Sequence, residues 1–350
     1  MARGRIGLDV GSTAVRAAEV VLGSDPPSLV RAAQVPLPPG AVESGEVRDV
    51  EALAAAVREL WQRGAFKSRQ AVLGVGNQRV VVREITVPAL PPKELKQSLP
   101  FQVQDLIPIP VDDAVLDYDV LEEIEQDGAK MLRLLVVAAQ RDMVNRMVDA
   151  AARAKVEPVG VDLVPFALIR AVGQDDGLGL EDSDLGGEAI VDVGADVTNI
   201  CVHERGVARF VRILPSGGRD VSVAMATSLG ISEEDAEALK RGQPVEGSPP
   251  AEQVDNTRRA RVAALVDEMR SSLDFYRAQT PGAEVTRVLV TGGGSKMPGL
   301  VDLLDERVDG QVRRGHAFQK VNVRLDMDQA TMTEAEPLLA VSLGLALPQR

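Results

Sequence analysis

The apolar positions of the chain open on a short run at 5–10 with Asp9 near its end, break at Gly11-Ser12-Thr13, and resume over 15–21. This pattern predicts two strands joined by a polar tip. Pro and Gly punctuate 25–40, which predicts a loop, while Leu53, Val57, Leu60 and Trp61 recur at helical spacing within 50–63. A strand follows at 71–75. From residue 80 the character changes: a β-branched strand at 80–87, a helix at 92–106 and the run Ile107-Pro108-Ile109-Pro110. Strands at 114–121 and 130–139 then flank an acidic turn at 122–128, and a helix covers 141–154. That order predicts a compact α+β unit inserted into a larger domain.

After a polar Gly/Asp linker at 173–187 the opening theme returns. Strands are predicted at 188–193 and 197–203 around Gly194-Ala195-Asp196, with a third at 207–214. Aligned, the two starts read IGLDVGSTAVRAAEV and AIVDVGADVTNICVH, an internal duplication at hairpin scale. Two such hairpins predict two similar subdomains facing each other across a cleft. Beyond them lie Gly217-Gly218 at a helix start and Ser232 as N-cap of a helix at 233–240. A loop at 242–250, a long helix at 252–279 and a strand at 285–290 running into Thr291-Gly292-Gly293-Gly294-Ser295 come next. Helices at 298–307 and 337–347 close the chain, the second containing Gly344.

Composition narrows the function classes. The 350 residues carry 39 Lys plus Arg against 52 Asp plus Glu, a net charge of -13, which disfavours nucleic acid as a partner. Length leaves room for about two domains. A single Cys excludes an internal disulfide, and two His with one Cys, widely spaced, argue against zinc. No apolar run approaches the roughly 18 residues of a membrane span, and the N-terminus enters a strand pattern directly. The expectation is a soluble cytoplasmic protein without direct membrane insertion. Cys201 reads as a small core hydrophobe, His203 and His316 as surface residues, and the acids of 122–127 as a solvated loop. Ile107 to Pro110 reads equally as a structural edge or as a groove lining. The 252–279 helix, with Arg258, Arg259 and Arg261, reads as a solvated lobe helix.

The three glycine-bearing turns, at Gly11, Gly194 and Gly292 to Gly294, sit at strand ends, where glycine lets phosphate approach backbone N–H groups closely. Asp9 and Asp192 occupy the same place in the two hairpins, at the end of an apolar strand where a carboxylate needs a partner. A Mg²⁺ ion held between them largely through water satisfies both; the other reading is that each caps its own turn.

These residues resemble the actin, sugar-kinase and DnaK-type chaperone superfamily. Asp9-Val10-Gly11-Ser12-Thr13 is similar to its first phosphate motif, Asp192-Val193-Gly194 with Asp196 and Thr198 to the second, and VLVTGGGSKMPGL to its adenosine motif. The resemblance implies an α/β actin-like ATPase (ribonuclease-H-like) fold, two lobes around a cleft for ATP and Mg²⁺. It further implies that Gly217, Gly218, Glu237, Lys240, Gly292, Gly293, Gly294 and Ser295 hold the nucleotide. Arg16 stands where the superfamily often has Lys and keeps the charge for a phosphate.

Within the superfamily, RVVVREITVPALPPKEL, FQVQDLIPIPVDDAVLDYDVL, the stretch from LRLLVVAAQRDMV to LVPFALIRA and EPLLAVSLGLAL resemble the PilM family of type IV pilus assembly. That resemblance implies lobes at 1–79 with 155–186 and at 187–350, the terminal helix returning toward the first, and an inserted α+β subdomain of the FtsA/PilM kind at 80–154. It implies a scaffold that binds the N-terminal cytoplasmic peptide of a PilN-like inner-membrane protein, is recruited by it to the inner face of the membrane, and couples to the pilus motor ATPases. Self-association is a further expectation. Val164 stands where superfamily ATPases often carry a water-positioning Glu or Gln, so hydrolysis is expected to be slow or absent unless Asp162 or Asp196 substitutes. The alternatives are an FtsA-like division protein, from which a chain ending at Arg350 without an amphipathic helix differs, and a small-molecule kinase, which needs a general base for its substrate.

Overall fold

The computed structural model describes residues 4–174, 186–280 and 282–349; of the linker read at 173–187, positions 175–185 lie outside them. The first segment folds as β1 (Gly4–Val10), β2 (Ala14–Val21), β3 (Ser28–Pro36), a small hairpin of β4 (Val42–Glu43) and β5 (Glu46–Val47), α1 (Val50–Arg63) and β6 (Gln70–Val75). Asp49 caps α1 by accepting from the N–H groups of Glu51 and Ala52, both at 2.9 Å. The next segment comprises β7 (Val80–Pro88), α2 (Pro92–Val103), β8 (Ala114–Gln126), β9 (Ala129–Gln140) and α3 (Arg141–Arg153), after which β10 (Glu157–Leu163) and α4 (Val164–Val172) rejoin the first sheet.

The second half consists of β11 (Gly187–Val193), β12 (Thr198–Glu204), β13 (Val207–Leu214), α5 (Gly218–Leu229), α6 (Glu233–Lys240) and the long α7 (Ala251–Gln279). It ends with β14 (Val285–Thr291), α8 (Leu300–Arg307), β15 (Gln311–Arg314), β16 (Asn322–Val323) and α9 (Gln329–Ala346).

The duplication seen at the hairpins extends to whole sheets. One is ordered β10-β6-β1-β2-β3-β16 and the other β13-β12-β11-β14-β15. In each, an antiparallel three-strand meander is followed by parallel strands on the far side of its first strand. The segment from β7 to α3 builds a separate sheet, β7-β9-β8, closed by α2 over its own apolar cluster.

Helices α4 and α9 share one buried cluster with residues of both large sheets, including Ala18 and Val72 of one and Ile190 and Leu289 of the other. Their approach requires glycine. A side chain at Gly344 would collide with the Ala167 backbone of α4, and one at Gly7 with the Ser342 carbonyl of α9.

Several elements differ from expectation. β3 lies where a loop was predicted, because the prolines flank it while Leu29 and Val35 pack inward against β2. β8 and β9 run through the acidic segment to a two-residue turn at Asp127 and Gly128, both at positive φ. There Arg133 and Lys130 partner Glu122, Glu84 and Glu123. Ile107 and Ile109 are buried in the α2 cluster, so that run is structural. His203 is buried, not exposed: its Nε2 lies 3.1 Å from Glu188 Oε1 and its Nδ1 accepts from the Gly206 N–H. Cys201 is buried in β12 as expected, and α7 buries one stripe from Val254 to Tyr276 with Arg259 outside it.

Replacing Gly344 by Leu is expected to lower the free energy of unfolding by about 3 kcal/mol, since the obstacle is backbone rather than a movable side chain. Urea denaturation measures it; a loss under about 1 kcal/mol would mean that α4 and α9 separate freely.

Candidate functional site

Both hairpins turn in the same way. Gly11 N–H donates to Ala14 O at 3.1 Å, and Gly194 N–H to Val197 O at 2.9 Å. The registers place Arg16 opposite Asp9 and Asn199 opposite Asp192. Both strand ends open on a single cleft of ≈ 990 Å³, whose walls include Asp9, Gly11, Ser12, Thr13 and Arg16 from the first sheet. From the second come Asp192, Gly194, Asp196, Gly218, Glu237, Lys240, Gly292, Gly293 and Gly294.

The turns are fixed from behind. Gly218 and Arg219, at the start of α5, donate to the carbonyls of Gly194 and Ala195 at 2.9 and 2.8 Å, so the helix N-terminus holds the second turn. Gly217 bonds Asp220 Oδ2 through its N–H at 2.8 Å, and Thr198 donates to Ser216 O at 2.8 Å. Gly292 has φ 84°, and a Cβ there would strike the Asp192 carboxylate and the Val193 backbone. The hydroxyl of Ser295 donates to Gly292 O at 2.7 Å. Gly217, Thr198 and Ser295 therefore support the turns without lining the cleft.

Beside the second turn, Lys240 is buried and donates to Gly218 O at 2.8 Å and Glu237 Oε2 at 2.6 Å. Burial draws the Lys240 ammonium down from its usual pKa against the pull of Glu237. Burial acts oppositely on Glu237, but bonds from Lys240, Ser222 and Arg241 outweigh it and hold the carboxyl below its ordinary value.

The two aspartates are treated differently. Burial raises Asp9, and Arg16, 3.4 Å away, opposes the rise. Gln34 of β3, missed with its strand, fixes that guanidinium by accepting from Arg16 Nε at 2.8 Å. Asp192 has only the neutral Asn199 amide at 3.2 Å, and burial together with the charge of Asp9 pushes it up to about 7. Two buried like charges call for a cation. Asn199 Oδ1 and Asp196 Oδ1 are buried beside them with no hydrogen-bond partner. An all-oxygen set of this kind suits a hard cation such as Mg²⁺. No group of three His, Cys, Asp or Glu able to hold a metal occurs among the described residues, so most ligands would be water and phosphate.

Asp162 is not brought to the cleft. Its carboxylate is paired with Arg170, which also donates to Gly344 O at 3.0 Å, and it accepts from the Leu163 N–H at 2.8 Å. Val164 does line the cleft, against Gly74 and Gly76. Asp196 lies at the second turn and accepts from the backbone N–H of Ser44 at 3.2 Å. No sequence motif signals Asn199, Gln34 or Ser44, whose roles arise from cross-strand register for the first two and from a contact between separate elements for Ser44.

The model of the family "Type IV pilus assembly protein PilM" matches residues 7–350. The chain belongs to the PilM family of type IV pilus assembly proteins. Its fold is similar to a solved PilM-PilN type IV pilus biogenesis complex, with TM-score 0.84 and 28% identity over 99% of this chain and 98% of that one. MreB5 of Spiroplasma citri bound to ADP shares the actin-like fold at TM-score 0.55 and 13% identity, covering 98% and 94%. The cell division protein FtsA of Bacillus subtilis is 21% identical over 88% of this chain and 77% of its own. Among the described residues no helix is long and apolar enough to cross a membrane.

Because the folded-state pKa of Asp192 lies above its unfolded value near 3.8, its contribution to stability is intact below that value and lost as pH rises through about 7. Without nucleotide or metal, Asp192→Asn should therefore gain melting temperature over the parent between pH 5 and pH 8, the gap widening with pH. Thermal melts that run parallel across that range would contradict the electrostatic assignment.

Proposed function

We propose that this PilM-type chain is a cytoplasmic scaffold that binds ATP with Mg²⁺ in the cleft and a membrane-protein tail on its inserted unit. The observation that carries the reading is the opposition of Asp9 and Asp192 across one cleft, each beside a glycine turn and each raised by burial. Bound there, Mg²⁺ would neutralise phosphate charge and relieve both carboxylates. Gly11 to Thr13 and Gly194 to Asp196 would bracket the phosphates, with Arg16 aimed between them by Gln34. Glu237 and Lys240 would face the nucleoside. Turnover is expected to be low: Val164 has no group to orient water, and the nearest carboxylate in sequence, Asp162, is bound to Arg170.

The 80–154 unit would be the partner-binding subdomain between two parts of the first lobe, 1–79 and 155–186, with 187–350 as the second lobe. A groove of ≈ 700 Å³ on this unit is lined by Lys96, Leu99, Pro100, Val115, Asp117 and Tyr118, and β8 is an edge strand of its sheet. Apolar walls with charges of both signs, Lys96 and Arg141 against Asp112 and Asp117, beside a strand edge suit a short extended peptide. The likeness to a PilM-PilN complex supports the N-terminal cytoplasmic segment of a PilN-like inner-membrane protein as that peptide. The scaffold would then be held at the membrane through its partner, within reach of the pilus motor ATPases.

Titration calorimetry with ATP and Mg²⁺ should give saturable binding that Asp9→Asn weakens at least tenfold, with turnover well under about 1 per second. A peptide from the PilN-like N-terminus should bind the parent, and Val115→Arg with Lys96→Glu should weaken it about tenfold or more. Unchanged peptide affinity would place the groove elsewhere, and unchanged nucleotide affinity would remove the cleft from the reading.

A further inference from the structure

The β4–β5 hairpin reaches the cleft without belonging to either phosphate turn. Val42 pairs with Val47 and Glu43 with Glu46, and the two tip residues, Ser44 and Gly45, have φ of 49° and 75°. Both values belong to the tight turn whose twist matches a two-strand hairpin. Glycine takes such a φ freely, whereas Ser44 does so at a cost that its surroundings must offset.

One of those surroundings lies in the other sheet. The Ser44 N–H donates to Asp196 Oδ2 at 3.2 Å, tying the hairpin tip to the second phosphate turn. Asp196 is incompletely satisfied: Oδ1 is buried without a hydrogen-bond partner, and the nearest guanidinium nitrogen of Arg219 stands 3.9 Å away.

The hairpin's other face is bound to the segment between β6 and α3. Buried Asn77 donates from Nδ2 to Gly45 O at 2.9 Å, and a side chain on Gly45 would press on the backbone at Gly76 and Asn77. Arg79, just before β7, bridges Glu46 at 2.9 Å and Asp142 of α3 at 3.1 Å. Arg146 of α3 donates to Val47 O at 3.3 Å. A continuous set of polar contacts thus runs from Asp196 through the hairpin to α3.

We infer that the Ser44–Asp196 bond is a latch, opened by nucleotide, that couples the phosphate cleft to the inserted unit. The inference rests on the cleft being the ATP–Mg²⁺ site. A divalent cation brought beside the second turn draws the Asp196 carboxylate inward, and its water shell competes for the same oxygens. The cation's double charge outweighs one N–H donor at the cleft mouth. Once Asp196 turns inward, Ser44 loses the contact that helps hold its left-handed backbone. The hairpin then loosens, and with it the Arg146 and Arg79 contacts to α3. The coupling is reciprocal, so a ligand that shifts α3 changes nucleotide affinity by the same factor.

Hydrogen exchange on the full chain, paired with calorimetry on the same samples, tests this. With a non-hydrolysable ATP analogue and Mg²⁺ at saturation, amides of 42–47 should exchange roughly fivefold faster or more, and the first turn of α3 should follow. Asp196→Ala should show the faster exchange without nucleotide, whereas Asp196→Asn, which retains an acceptor, should not. Arg146→Ala should keep the hairpin response and weaken that of α3, the Arg79 bridge to Asp142 remaining. Unchanged hairpin exchange in protein that calorimetry shows to be loaded overturns the latch and leaves the nucleotide reading intact. Absence of nucleotide binding removes both. If Asp196→Ala does not fold, the parent and Arg146→Ala decide the matter alone.

Discussion

Helices α4 and α9 form a thin layer between the two large sheets, and the glycine turns can meet only because that layer is thin. The layer is built from small residues, among them Ala167, Ala171, Ala340 and Ala346, and its backbones touch at Gly344. On one side α9 lies against β1 through Gly7, and on the other α4 packs against β11 and β12. Close packing of this kind tolerates little change in volume. It brings the ends of β1 and β11, separated by about half of the chain, to the walls of one cleft.

The price of that arrangement is electrostatic, and the two sheets meet it unequally. At matching positions Asp9 faces a cation, Arg16, while Asp192 faces the neutral Asn199. A duplicated scaffold has therefore kept its backbone register and diverged in one cross-strand partner. The result is one carboxylate with a resident counter-ion and one whose charge depends on what enters the cleft. Asp196, at the adjacent turn, shares the same incompleteness, and its backbone partner Ser44 sits at the tip of the separate β4–β5 hairpin.

Where the physics is local, the sequence was readable. The hairpins, their glycine tips, the Ser232 cap of α6 and the α+β order of 80–154 all follow from spacing and turn chemistry within a dozen or so residues. β3 failed because its flanking prolines outweighed two inward apolar residues, and its paired neighbours are what make it a strand. His203 was misjudged for a similar reason: a turn nearby suggests exposure, but Glu188 at the start of β11 and the α4 terminus close over the ring.

The sequence by itself determined the two Asp-bearing hairpins, the glycine turns, the order of elements over 80–154 and, through their joint resemblance, the fold. Only the tertiary structure decided which groups those turns meet. Asn199 beside Asp192 follows from hairpin register, but the proximity of Asp9 to Asp192, the diversion of Asp162 to Arg170 and the bond from Ser44 to Asp196 do not. Each joins residues on different elements, where spacing along the chain carries no information about distance. There, packing of α4 and α9 between the sheets sets which side chains face the cleft and which are spent on holding it.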